Sequence, residues 1–358
     1  MSLSIGIVGL PNVGKSTLFN SLTNNDILAA NYPFATIEVN TGIVPVPDKR
    51  LKVLADIYKA PKIIPATVTF IDIAGLVAGA SKGEGLGNKF LANIRQCDAI
   101  AHVVRAFSDS NILHVENRVD PKKDIEIINT ELILADIQTI ENRLPKLQKE
   151  AKANPKKRAE LEYLNSLLKT LENGTPLSKL EELNYDYIKD LHLLSAKPVI
   201  YIFNVDESTM ADDNKKVELE NLVKPNKATF ICAKLEEELK DLSEEEAMEL
   251  LESYGVKETG LDQVIHAAYD ILGLQSYLTA GDKEIHAWTI KKGWTAPQAA
   301  GVIHTDFEKG FIAASIISYP DLVEAGSEQA VKATGKVRTE GRDYVMQPDD
   351  ICDFRFNV

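Results

Sequence analysis

Residues 4 to 17, Ser4-Ile-Gly-Ile-Val-Gly9-Leu-Pro-Asn-Val-Gly14-Lys15-Ser16-Thr17, constrain the fold of this chain more than any other stretch. A short apolar run, Ile5, Ile7 and Val8, meets Gly-x-x-x-x-Gly-Lys-Ser, and an apolar-periodic segment, Leu18 to Leu22, follows. Strand, glycine loop and helix in that order make a P-loop. Gly9 and Gly14 let the backbone turn tightly enough to aim successive N–H groups at phosphate oxygens. The N-terminus of the next helix adds its partial positive charge to that anion site. Asn12, Val13, Gly14, Lys15, Ser16 and Thr17 therefore form the expected phosphate cradle. Lys15 can reach the β- and γ-phosphates, and the Ser16 hydroxyl can ligate Mg²⁺. A chain built this way folds around an α/β P-loop domain with a mostly parallel sheet and binds a nucleoside triphosphate.

At 358 residues the chain has room for two or three domains, each with its own core. Its three cysteines, Cys97, Cys232 and Cys352, are scattered, which predicts a reducing compartment with neither a disulfide framework nor a zinc site. No run approaches the roughly 18 consecutive apolar residues of a membrane span, and the N-terminus runs straight into the first strand. The expectation is a cytoplasmic protein with no membrane partner. The net charge of −13 argues against non-specific nucleic-acid binding by the whole surface, though not by a local patch.

After the first helix, the loop-like segment from Asn31 offers threonines that could complete Mg²⁺ coordination while a γ-phosphate is present. Thr36 is the choice, with Thr41 as the alternative. Ala66-Thr-Val-Thr-Phe-Ile-Asp72 has the pattern of a buried strand and ends in Asp72-Ile-Ala-Gly75. Asp72 is placed to hold Mg²⁺ through water, and the Gly75 N–H can approach a γ-phosphate with no side chain in the way. The next residue, where many GTPases orient water with glutamine, is Leu76. A further strand, Asp98 to Phe107, is followed by a polar loop carrying His114, which from its position alone is an ordinary solvated histidine. His102, inside the strand, reads as a core residue.

From about Asp124 the period becomes helical. Ile133, Ile137, Ile140, Leu144 and Leu147 form one seam, and Leu161, Leu164, Leu168 and Leu171 form another. With Ala153-Asn154-Pro155 between them, they read as an antiparallel hairpin, a short coiled coil. Pro145 should kink or loosen the first helix. Lys146, Lys149, Lys152, Lys156, Lys157 and Arg158 crowd the tip, a focused phosphate-binding patch on an acidic protein. The acidic runs at 236–238 and 244–246 read as solvated faces.

The strand from Ala196 to Phe203 ends in Asn204-Val205-Asp206-Glu207, where a GTPase carries Asn-Lys-x-Asp. That aspartate accepts hydrogen bonds from guanine's N1–H and exocyclic amine. Here valine replaces the lysine, and the last carboxylate, Glu207, is longer by one methylene. Hydrogen bonds to charged groups are worth roughly 1.5–3 kcal/mol each, so a misplaced carboxylate loses most discrimination for guanine. Ala233 and Lys234, after a last strand, could meet the base through backbone N–H groups. From Thr279, short β-rich runs around a helix near Ala296–Ala300 predict a small α+β domain.

Taken together, Gly-Leu-Pro-Asn-Val-Gly-Lys-Ser-Thr (9–17), Tyr-Pro-Phe-Ala-Thr-Ile-Glu (32–38), Asp-Ile-Ala-Gly-Leu-Val (72–77), Asn-Val-Asp-Glu (204–207) and the run from Ala296 to Phe311 resemble the YchF-type, Obg-like ATPases, a branch of the translation-factor-related GTPases. One departure is Val39, where a proline is expected after Glu38. The resemblance implies a split OBG-type G domain (1–123 and 196–278), a helical hairpin insertion (124–195) and a carboxy-terminal TGS domain (279–358), a ubiquitin-like β-grasp. It also implies preference for ATP over GTP, ribosome binding, Mg²⁺ on Ser16 and Thr36, and a catalytic role for His114. The expected protein is a monomer that hydrolyses ATP to ADP slowly, with rRNA phosphates met by the hairpin tip. Whether K⁺ assists Mg²⁺ is left open. Two rivals are a conventional ribosome-assembly GTPase, against which Val205 and Glu207 argue, and a nucleotide-gated RNA-binding adaptor that barely hydrolyses, for which Leu76 argues.

Overall fold

The computed structural model describes residues 3–23, 40–73, 86–107, 119–239 and 242–357. The strands, in chain order, are β1 (Ser4–Val8), β2 (Thr41–Pro45), β3 (Ile63–Ile64), β4 (Thr67–Asp72), β5 (Ala99–Ala106), β6 (Val199–Val205), β7 (Lys227–Ile231), β8 (Leu274–Ala280), β9 (Ile285–Lys291), β10 (Phe311–Ser318), β11 (Arg338–Glu340) and β12 (Asp350–Phe356). The helices that matter here are α1 (Lys15–Thr23), α2 (Lys49–Tyr58), α3 (Leu86–Gln96), α4 (Pro121–Ala153), α5 (Pro155–Glu172), α6 (Asp213–Val223), α7 (Gly260–Ile271) and α8 (Ala296–Ile303).

Among the described residues, one sheet has the strand order β2-β4-β1-β5-β6-β7. Its pairs from β4 through β7 are parallel. β5 and β6 are buried almost end to end, which is why they read as continuous apolar runs without alternation: helices cover both faces of a parallel sheet. β1 lies between β4 and β5, so the chain reverses its winding there. Ligands bind outside the carboxyl ends of strands at such a point. The loops after β1, β4, β5, β6 and β7 leave from that edge.

Between β5 and β6 stands the hairpin. Asp120 caps α4 by accepting from the Lys123 N–H, with Pro121 at the first helical position. α4 then runs 33 residues and passes Pro145 without a break. The helix continues there because Pro145 lies on the exposed face, where water can satisfy the carbonyl it frees, while Ile140, Leu147, Leu164, Leu167 and Leu171 close the seam. Asn154 makes the whole turn. Its N–H reaches Glu150 O at 3.1 Å, and its side chain accepts from the Lys156 N–H at 3.0 Å to start α5.

At the hairpin base the fully buried Asp136 accepts from Leu194 N–H and Ser195 N–H, each at 2.7 Å, and from Ser195 Oγ at 2.6 Å. This carboxylate ties the returning chain to α4. Asp136→Ala strands three buried donors, each costing about 1–3 kcal/mol, and is expected to destabilise this unit by about 3 kcal/mol or more. A urea midpoint equal to that of the parent would show that the tie is dispensable.

The chain divides into two compact units. Among the described residues the first unit holds the nucleotide-edge strands and the hairpin, and the second holds 43–68 and 273–357. Two boundaries differ from the sequence reading. β8 begins at Leu274, so Thr279 falls inside a strand: Gly273, at φ 67°, turns the chain straight from α7 into β8 with no linker. Residues 43–68 pack with the C-terminal unit, because β3 pairs in parallel with β9 through Ile63–Ile285 and Ile64–His286. Arg50 holds Asp48 at 2.7 Å and Asp349 at 3.0 Å, and Tyr58 Oη meets Glu328 at 3.3 Å. The second sheet has the order β11-β10-β12-β8-β9-β3, with β8 and β12 parallel and each flanked by an antiparallel partner. α8 packs into its core with Tyr277, Phe311 and Phe354. No helix among the described residues is long and apolar enough to cross a membrane.

Candidate functional site

β1 delivers the glycine loop to the sheet edge on three fully buried residues, Ile5, Ile7 and Val8. A Cβ on Gly9 would stand 2.6 Å from Val103 O of β5, so only glycine lets the loop lie this close to the neighbouring strand. Asn12 has φ 61° and Gly14 φ 98°. These left-handed turns reverse the backbone twice within three residues, which points consecutive N–H groups into one concavity. α1 starts at Lys15 and its first turn closes with Leu18 N–H to Gly14 O at 2.9 Å. Ser16 and Thr17 are exposed at the start of the helix. The Val13 side chain is in the core, and its carbonyl accepts from Asn204 Nδ2 at 3.1 Å. β6 thus pins the P-loop. Gly14, Thr17, Asn204 and Ala233 line one small void, so the residues expected from separate motifs do converge.

The electrostatics suit a polyphosphate. Burial lowers the pKa of the half-buried Lys15 ammonium, and the Asp72 carboxylate opposes this. A cation stripped of water and short of counter-charge favours an arriving anion. Asp72 ends β4 opposite Ile7 of β1, its N–H donates to Asn40 O at 2.8 Å, and its Oδ1 is buried without a hydrogen-bond partner. An orphaned carboxylate oxygen beside the P-loop lysine is what a Mg²⁺-bound water would satisfy. The residues present therefore fit Mg²⁺, which the Ser16 hydroxyl and, through water, Asp72 would hold. Thr36, Gly75 and His114, together with Leu76 and Val39, lie outside the described residues. Thr41, the alternative to Thr36, begins β2. His102 is 2% exposed, tilts against Tyr201 at 5.2 Å and has its pKa pushed down to about 3 by burial, so it is a neutral core residue.

At the base side, Val205 is 2% exposed. Its side chain belongs to the core, and only its backbone is available to a nucleotide. Asp206 is spent on capping: it accepts from Thr209 N–H and Ser208 Oγ, each at 2.8 Å. That leaves Glu207 as the carboxylate of this loop, and its Oε1 lies 2.6 Å from Lys234 Nζ. From sequence alone only the backbone of Lys234 points to the base, and the pair is found only in the structure. Nothing in the sequence signals it, because it depends on β6 and β7 lying side by side. Ala233 opens the short helix after β7. Within that helix Glu236 is not a solvated residue. It is 5% exposed and accepts from Gly260 N–H at 2.6 Å, where it caps α7.

The hairpin tip sorts its cations. Lys146, Lys149, Lys152 and Lys156 are exposed. Lys157 instead meets Glu160 at 2.5 Å, and that same carboxylate takes Arg143 at 3.2 Å. Arg158 donates to Ala151 O at 3.1 Å and so satisfies a carbonyl at the end of α4. Two of the six expected patch residues thus also hold the tip in shape.

Comparison with known proteins places this geometry. Residues 4–143 match a family described as 50S ribosome-binding GTPase, and residues 274–357 match the YchF-type GTPase C-terminal family, described as a protein of unknown function. The ribosome-binding ATPase YchF of Bacillus subtilis is 50% identical over 369 residues, with 100% of both chains covered. The protein of the same name from Haemophilus influenzae is 50% identical over 363 residues, again with 100% of both covered. Among solved structures, the YchF GTPase of Schizosaccharomyces pombe aligns with a TM-score of 0.86 at 40% identity, over 99% of this chain and 98% of that one. A GTP-binding protein from Pyrococcus horikoshii, at 23% identity and a TM-score of 0.61, shares the fold. With half its residues identical to full-length relatives from end to end, this chain belongs to the YchF family.

Proposed function

We propose that this chain is a P-loop ATPase that hydrolyses ATP to ADP and phosphate, prefers ATP to GTP and binds the ribosome as a translation-associated regulatory factor. The observation that carries the nucleotide reading is the half-buried Lys15 beside the orphaned Asp72 oxygen, at the end of a loop that Asn204 ties to β6. The loop N–H groups and Lys15 bind and orient the triphosphate, and Ser16 and Asp72 hold Mg²⁺. When bound, Mg²⁺ neutralises charge on the β- and γ-phosphates. Ribosome binding is supported by the full-length likeness to relatives named for it. Multiple-turnover phosphate release, with and without ribosomes, tests the reading. Sustained release of many phosphates per protein is expected, whereas binding with a single turnover or none would make the chain a nucleotide-gated adaptor.

The exposed lysines at the tip support the hairpin as the arm that meets rRNA phosphates. Lys149→Glu, Lys152→Glu and Lys156→Glu together should weaken ribosome binding. They should also flatten the slope of log affinity against log salt by about 2–3, because fewer counterions are released. ATP affinity should not change, since Lys149 lies about 40 Å along α4 from its first turn. An unaltered salt slope in sedimentation binding would mean that the patch is only solvated.

A further inference from the structure

Glu207 and Lys234 leave the sheet from the ends of neighbouring strands, β6 and β7, whose last paired residues are Asn204 and Ile231. Their side chains meet at 2.6 Å, and a second carboxylate, Glu238 Oε1, stands 4.0 Å from the same ammonium. Both partners keep solvent access, with 69% of the Lys234 side chain and 37% of the Glu207 side chain exposed. The helix capping in this loop is done by Asp206, and the neighbouring helix α7 is held by Glu236. The pair is therefore not needed for either task, and it sits on the loops that flank Asn204.

The base edges differ in a way this pair can read. Guanine presents two adjacent donors, N1–H and the exocyclic amine, and a carboxylate grips both only when both its oxygens are free. Adenine presents one donor, the C6 amine, next to an acceptor, N1. In this protein one lone pair of Glu207 Oε1 is already engaged by an ammonium, which holds the carboxylate beside a cation. That combination suits one donor and one acceptor side by side, and it meets guanine's two donors less well, because Oε1 would have to serve Lys234 and one of them at once.

We propose that Lys234 is a positioning residue for base selectivity: by engaging one oxygen of Glu207 it weakens the two-point grip on guanine and leaves a site that favours adenine. The inference rests on the ATP preference proposed above. The hydrogen bond to Glu207, together with its charge, also raises the Lys234 pKa, so the ammonium stays charged through the working pH range.

The test is the ratio of ATP to GTP affinity, measured by calorimetry with Mg²⁺ at low and high NaCl, for the parent chain, Lys234→Met and Lys234→Arg. Lys234→Met keeps an apolar stem at an exposed position and frees both oxygens, so GTP should gain about one charge-assisted hydrogen bond and the ratio should fall about tenfold. Lys234→Arg keeps a cation on Glu207 and should hold the ratio near the parent value. High salt weakens an exposed ion pair, so the parent ratio should drift toward GTP with NaCl while the Lys234→Met ratio stays flat. An ATP-preferring parent with an unchanged ratio in Lys234→Met overturns the role of Lys234 and leaves the ATP reading standing. A parent that prefers GTP, or binds both alike, overturns the ATP reading itself.

Discussion

Gly14→Ala is expected to lower ATP affinity by about 10²-fold or more while the chain still folds. Gly14 sits at φ 98°, a conformation that costs an L-residue about 1–3 kcal/mol. The added Cβ would also stand 2.5 Å from Asn204 Nδ2. Asn204 cannot step aside freely, because the same nitrogen donates to Val13 O at 3.1 Å and so fixes the loop. Relief comes either from turning the Gly14 peptide or from breaking that hydrogen bond, and both re-aim the N–H groups that bind phosphate. Strain plus the lost bond comes to about 3 kcal/mol, roughly a hundredfold in affinity. The site is at the sheet edge, so the core strands keep their packing, and the native-state strain should lower the thermal midpoint by several degrees without unfolding the chain. Fluorescent-nucleotide titration beside a melting curve separates the two effects. Parent affinity in Gly14→Ala would mean that the loop adjusts at no cost.

His114→Ala should lower turnover by about 10²-fold and leave ATP affinity nearly unaltered, within the usual range for a general base or water-positioning group. The residue after Asp-x-x-Gly is Leu76, which has no hydrogen-bonding group for water. A different side chain must do that work if the chain turns over. His114 follows β5, whose carboxyl end belongs to the nucleotide edge of the sheet. A neutral imidazole with an ordinary pKa near 6.5 can accept a proton from water at neutral pH. His102 is the control: sealed within the sheet and held neutral by burial, it cannot exchange protons with a substrate. His102→Ala should therefore act through stability, with turnover per folded molecule near the parent's. Parent turnover in His114→Ala, with and without ribosomes, would remove the residue from the mechanism.

How much of this was legible in the sequence depended on how local each cause is. The P-loop could be read because strand, turn and helix are adjacent and Gly14 meets a constraint of its own backbone. β5 and β6 could be read as buried strands, and the hairpin seams as helices, because apolar period is a local property. Asn154-Pro155 marked the tip because one residue both ends α4 and caps α5. Other features were set by partners distant in the chain. Nothing in Ile63-Ile64 says that it will pair with β9, more than 200 residues later, so 43–68 was placed in the first domain. Glu236 reads as part of an acidic run, yet it is buried against the Gly260 N–H. Glu207 was recognised as a displaced carboxylate, but its partner Lys234 appears only when β6 and β7 are set side by side. Arg158 and Lys157 looked like free tip cations until Ala151 O and Glu160 took them up.

Competition of Mg-ATP, Mg-GTP and their diphosphates for the isolated protein, against one fluorescent reporter nucleotide, tests the central claim most directly. A site whose loop is tied by Asn204, with the Glu207 carboxylate shared by Lys234, should release the reporter to ATP at several-fold lower concentration than to GTP, with ADP ahead of GDP in the same order. GTP displacing the reporter at the lower concentration would contradict the account.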